Sequence, residues 1–140
     1  MKTTLKVLEI NDDGFYLIVD EKGKEIADLS KKYGKKIIDV HEEDGNYFIG
    51  MYKNWSSMEF YVLFNRHGNV IVDGLLSWEY INDNEFICIA EWDDCEILQQ
   101  DVKAIPYQQN SFVIDRFQEI VFGPTNKEIR YDEEDGYYTL

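Results

Sequence analysis

Short apolar runs broken by polar turns dominate the chain. Phe15 to Val19, Tyr47 to Tyr52, Phe60 to Phe64, Phe86 to Ala90 and Phe112 to Ile114 are each rich in aromatic and β-branched residues. Such residues fit a pleated, half-buried surface. Between the runs stand Asp, Asn and Gly, the residues that turns demand. Helical periodicity is not sustained anywhere. One helical turn is expected within 26–33, with Ser30 as a cap, and another within 102–105. The expectation is an all-β chain: an antiparallel meander of hairpins with at most short helical turns.

The pattern repeats. Residues 15–28 and 60–73 align at a constant offset of 45, with Phe15/Phe60, Tyr16/Tyr61, Gly23/Gly68, Ile26/Ile71 and Asp28/Asp73 identical. Each copy reads as strand, polar turn with Gly, and returning strand. A further strand follows each, at 46–52 and 85–90. Phe48-Ile49 and Phe86-Ile87 align at an offset of 38 instead. The first copy therefore carries seven extra residues, placed around 30–36. A second phrase, acids then Gly then aromatics, recurs at Asp12-Asp13-Gly14-Phe15, Glu43-Asp44-Gly45-Asn46-Tyr47 and Glu134-Asp135-Gly136-Tyr137, with Asn82-Asp83-Asn84-Glu85-Phe86 as a variant lacking Gly. Asp-Gly before an aromatic run is a hairpin signal. Strands are also expected over 111–115 and 119–122, and Gly123-Pro124-Thr125-Asn126 reads as a turn. The expected organisation is one domain over 1–140: a repeat unit at about 14–54, a second at about 59–94, and C-terminal strands at about 95–140 forming a cap or a degenerate third unit.

The repeated phrase, apolar or aromatic run, Asp20 or Asn65, then Gly23 or Gly68, then Ile26 or Ile71, resembles the WG-type β-repeats of bacterial proteins. The resemblance covers about residues 14–92, two units. The Trp-Gly pair itself is absent, replaced by Phe15-Tyr16-Leu17 and Phe60-Tyr61-Val62. The resemblance implies stacked antiparallel hairpins in a binding rather than a catalytic role.

Charge narrows the partners. The chain has 140 residues with 28 acidic and 14 basic side chains, a net of −14. Residues 1–37 hold eight basic and seven acidic residues; residues 38–140 hold six and twenty-one. Direct binding of nucleic acid or of an anionic membrane needs cations to face phosphates, so both are disfavoured. An acidic field instead attracts cationic partners and speeds their encounter. It also serves plain solubility. The one basic cluster, Lys31, Lys32, Lys35 and Lys36, reads first as a solvated loop. No apolar run is long enough for a membrane span, and the N-terminus shows no signal-peptide pattern. Cys88 and Cys95 match neither a Cys-x-x-Cys nor a zinc pattern, so reduced thiols and a cytoplasmic location are expected, with a cross-strand disulfide as the alternative.

Catalytic chemistry finds little support. There are two histidines, His41 and His67. His41 with Glu43 and Asp44 is the one candidate cation site, but the spacing fits neither a helical His pair nor a calcium loop. No nucleophile elbow or phosphate loop is present. The expectation is no enzyme, no cofactor and no metal. The partner-binding candidates are aromatics beside acids: Trp78-Glu79-Tyr80, Glu91-Trp92-Asp93-Asp94, and Trp55 in a polar stretch. Indole faces attract cations and carboxylates pair with guanidinium. Strand alternation favours a core position for Trp92, with Glu91 and Asp93 outward, and a surface position for Trp78. The function expected is sequestration of a basic protein, a toxin or a nucleic-acid-binding enzyme, as an immunity-type inhibitor would do. The alternatives are a phage-type mimic of nucleic-acid charge and a WG-like module with a structural or small-ligand role. Open meanders leave edge strands, which invite pairing of two copies.

Overall fold

The structure is a computed structural model that describes residues 5–9, 16–33, 36–82 and 84–140. It is all-β. Among the described residues twelve strands alternate with only short helical pieces. They are β1 (Lys6–Glu9), β2 (Tyr16–Val19), β3 (Glu25–Asp28), β4 (Asp39–Glu43), β5 (Tyr47–Lys53), β6 (Glu59–Phe64), β7 (Val70–Asn82), β8 (Glu85–Glu91), β9 (Gln109–Asp115), β10 (Ile120–Thr125), β11 (Ile129–Asp132) and β12 (Gly136–Thr139). The helices are α1 (Leu29–Tyr33) and α2 (Glu96–Gln99), with a 3₁₀ turn at Trp92–Asp94. The chain divides into two compact units, Met1–Ile71 and Val72–Leu140.

One turn recurs four times. In the segment 20–24 the Asp20 N–H donates to the Lys24 carbonyl at 2.9 Å, and the Gly23 N–H donates to the Asp20 carbonyl at 3.0 Å. The Asp20 side chain accepts the N–H of Lys22 and of Lys24, each at 2.9 Å. Asn65–Asn69 repeats every one of these bonds. So do Asn54–Met58 and Asp115–Glu119. This is a type I turn closed by a residue in the left-handed region. The Asp or Asn side chain acts as a local cap, bonding backbone two residues on. The fourth position has φ of 80° at Gly23 and Gly68, 65° at Ser57 and 67° at Gln118. The turn shared by the two aligned copies thus extends to two places where no Gly marks it. The Asp-Gly phrase at 43–47 makes a different turn: residues 44–46 join Glu43 to its partner Tyr47, with Asp44 and Gly45 both at positive φ. Of the other phrases, 12–15 and Asp83 lie outside the described residues.

In the first unit β1, β2 and β3 pair in that order, and β4, β5 and β6 pair in theirs, all antiparallel. Tyr16 donates its hydroxyl to the Ile38 carbonyl at 2.7 Å, and the Val7 N–H donates to the Glu42 carboxylate. Phe48, Gly50 and Tyr52 share one face with their partners Phe64, Val62 and Phe60. Tyr33 of α1 packs there, its ring centroid 5.6 Å from Tyr52 and 5.7 Å from Phe64. Helix α1 lies in the stretch that holds the extra residues of the first copy. Its N-terminal cap is Asp28, whose carboxylate accepts the Lys31 N–H at 3.0 Å, rather than Ser30. The side chains of Ser30 and Lys32, and all of Gly34 and Lys35, lie outside the described residues.

In the second unit β7, β8, β9 and β10 pair consecutively, and β11 pairs with β12. Phe86, Cys88, Phe112 and Ile114 are fully buried on one face. On the other face Ile87 and Val113 pack with Ile129, joined by Ile81, Phe122 and Tyr137. Two expectations need correction. Gly123–Thr125 is strand, not turn: Thr125 pairs with Ser111 across a shifted register. The helical turn expected within 102–105 is absent; the helix of this region is α2, held by the Gln99 and Gln100 N–H groups donating to the Cys95 and Glu96 carbonyls.

A residue with a side chain in the left-handed region costs more than glycine there. Ser57→Gly is therefore expected to raise stability by roughly 0.5–1 kcal/mol, after the entropy that glycine loses on folding. Urea unfolding of the intact chain measures it, and a loss of stability would refute the turn geometry.

Candidate functional site

The candidate site residues of the second unit fall on three surfaces. Trp78, Glu79 and Tyr80 sit in β7 opposite Cys88, Ile87 and Phe86. Alternation therefore puts Trp78 and Tyr80 on the Phe86 face and Glu79 on the Ile87 face. Both aromatic rings lean on Phe86, with centroids 6.4 Å and 5.1 Å away. Each is half-buried, so Trp78 is neither pure core nor a free surface indole.

Glu91 ends β8, and the chain then breaks into the 3₁₀ turn Trp92–Asp94. Trp92 stands four positions beyond Cys88, so about 13 Å of strand separates it from Trp78. The two groups do not form one contiguous patch. Nor does Trp92 enter the core. It is half-buried, because strand alternation stops at Glu91, and its ring lies 4.7 Å from that of Tyr107. Tyr107 is 77% exposed with φ of 61°. A bulky residue in that region persists only where its surroundings hold it. The holder is Asn110, fully buried at the start of β9. Its Oδ1 accepts the Ile105 N–H at 2.9 Å, and its Nδ2 donates to the Ile105 and Gln108 carbonyls, each at 3.0 Å. The Trp92 N–H donates to the Gln108 carbonyl at 3.0 Å. Gln99 donates from Nε2 to the carbonyls of Trp92 (2.9 Å) and Asp93 (3.1 Å). The turn is thus rigid, with Asp93 and Asp94 exposed beside a tilted aromatic pair.

Gly74 seats this turn. Its φ is 80°, and a Cβ built there would fall 1.9 Å from the Asp94 carbonyl oxygen. Only glycine permits both the conformation and the approach.

The third surface is a groove of about 570 Å³ on the Ile87 side, walled by β7 and the β11–β12 hairpin. Glu79 and Tyr80 line it with Glu128, Tyr131, Glu133 and Tyr138. A smaller hollow of about 150 Å³ shares Glu79, Glu128 and Ile129 with it. The hairpin is fixed on the sheet by Tyr137, whose hydroxyl donates to Glu85 Oε1 at 2.8 Å. Burial, then the Glu85 carboxylate and Tyr131, push the Tyr137 phenol well above its usual range. Sequence reasoning missed Tyr107, Tyr131, Tyr138, Glu128 and Glu133. For the hairpin a signal existed: a turn at Glu134-Asp135-Gly136 pairs Tyr131 with Tyr137 and Arg130 with Tyr138.

In the first unit Trp55 occupies the second position of the capped turn Asn54–Met58 and is 97% exposed. His41 and Glu43 share a face of β4, with Nε2 and Oε2 2.9 Å apart, while Asp44 turns away into the hairpin loop. No three His, Cys, Asp or Glu side chains converge as a metal site among the described residues. His67 is an exposed turn residue. Cys88 and Cys95 are buried free thiols. Burial pushes both up in pKa, Cys88 furthest, so at neutral pH they are protonated and poor nucleophiles. No protein-family model matches the chain, and no curated protein or solved structure shows significant similarity to it.

Two outcomes test this geometry. Gly74→Ala is expected to cost roughly 2–4 kcal/mol in urea unfolding. The Tyr137 phenol is held protonated in the fold, so below its ordinary pKa near 10 its contribution is complete. Above that pH the unfolded chain ionises first, and stability falls as pH rises. Tyr137→Phe should flatten that alkaline decline in a pH series of melting curves; an unchanged slope would contradict the buried phenol.

Proposed function

We propose that this chain is a non-enzymatic acidic binding protein that sequesters a basic protein, acting as an immunity-type inhibitor of a cationic toxin in the cytoplasm. The carrying observation is where the charge lies. The unit Val72–Leu140 holds sixteen acidic and four basic residues, so it bears −12 of the chain's −14. A compact unit of that charge steers a cationic protein toward itself over several ångströms of solvent. The rigid Trp92–Tyr107 pair beside Asp93 and Asp94 supplies what steering alone lacks. Aromatic faces and carboxylates together suit arginine and lysine side chains, and Trp and Tyr are favoured at interface centres. Trp55 presents a further exposed indole on the first unit.

A second reading rests on the recurring capped turn. It favours a WG-like repeat module, whose role would be structural or small-ligand binding and largely indifferent to salt.

The two separate in one assay. A panel of cationic nuclease domains is mixed with the chain at about 20 mM and about 500 mM salt, and residual nuclease activity is read. The expected result is inhibition of a panel member at low salt, weakened at least about tenfold at high salt, with Asp93→Asn/Asp94→Asn slowing capture. No inhibition at low salt, or inhibition indifferent to salt, would sink the proposal.

A further inference from the structure

The groove of the second unit has a chemistry of its own. Its floor includes Ile81 and Ile129. Around that floor stand two phenol rings, Tyr131 and Tyr138, and three carboxylates, Glu79, Glu128 and Glu133; Tyr80 also borders the groove, its ring on the Phe86 face. Tyr131 is braced by Tyr137, the ring centroids being 4.9 Å apart. A volume of about 570 Å³ lies in the range of roughly 300–1,000 Å³ typical of ligand sites. The carboxylates come from two separate elements, and no metal-binding trio forms among the described residues. A compact metal ion therefore finds no ligand set there. A long side chain ending in a planar cation does: its stem lies on the isoleucines, its plane on a tyrosine face, and its N–H fork on a glutamate. The wall already holds one such group. Arg130 lies in the groove lining, with Nη2 3.4 Å from Glu128 Oε2.

We propose that this groove receives an arginine side chain of the basic partner. The inference rests on the proposed binding function and adds the recognition element, on residues 128–138 as well as β7. Arg130 is then an internal competitor. It neutralises Glu128, and a partner guanidinium displaces it or binds beside it.

The probe is N-acetyl-arginine methylamide, with the citrulline compound as the uncharged control of matching shape. Each is titrated into the intact chain while the tyrosine ring resonances are followed by NMR. The arginine compound is expected to give saturable shifts at Tyr131 and Tyr138, and the citrulline compound none. Glu79→Gln and Glu133→Gln, both exposed positions, should each weaken binding about threefold. Arg130→Gln should tighten it by a similar factor. Equal response to both compounds, shifts confined to Trp92 and Tyr107, or affinity unchanged by all three substitutions would overturn the proposal. Failure of the groove is distinct from failure of the binding function. Nuclease inhibition without arginine binding removes the groove alone, whereas arginine binding without inhibition removes the toxin partner and leaves the groove.

Discussion

An Asp or Asn side chain that bonds two backbone N–H groups of its own turn is the constraint on which this structure depends. It appears at Asp20, Asn54, Asn65 and Asp115. Each time it closes the same five residues and sets where the chain turns back. In an antiparallel hairpin the turn fixes the register, and a slip of one residue sends every side chain to the opposite face. The buried aromatics and the exposed acids are therefore both consequences of where these caps fall.

The two units fill their interiors differently. In the first, Gly50 leaves room for Ile37, Val62 and Phe64 to close over the sheet, their atoms 3.2–3.3 Å from where a Cβ would be. In the second, both faces of β8 and β9 are occupied, one by Phe86, Cys88, Phe112 and Ile114, the other by the C-terminal hairpin. Apart from Glu85, which holds Tyr137, the described carboxylates of this unit are left to edges, turns and the groove. The acidic field is the surface remainder of a filled interior, and its self-repulsion is a cost that the packed core must offset.

Much of the fold is legible in the sequence because it is local. Gly23 and Gly68 mark the turn at an offset of 45, and the aromatic runs mark the strands. The same turn at Asn54 and Asp115 is hidden because Ser57 and Gln118 hold the left-handed position that Gly holds elsewhere. Gly123-Pro124 reads as a turn by composition, but pairing with β9 overrides it. Alternation sends Trp92 to the core, and alternation fails one residue past the end of β8. Helix α2 spans four residues, too few to show a period. The groove is invisible for a different reason. Its walls come from residues 79–81 and 128–138, some fifty positions apart, and no local pattern joins them. Their meeting depends on Tyr137 reaching Glu85 across 52 residues.

Amide hydrogen exchange on the intact chain tests the recurring turn most directly. In every copy the N–H of the fifth residue donates to the capping side chain. Slow exchange is predicted at Lys24, Met58, Asn69 and Glu119, with faster exchange at Trp55, Arg66 and Arg116, which stand at the second position of their turns. Uniformly fast exchange across these segments, or protection displaced by one residue in any of them, would contradict the shared construction and the register built on it.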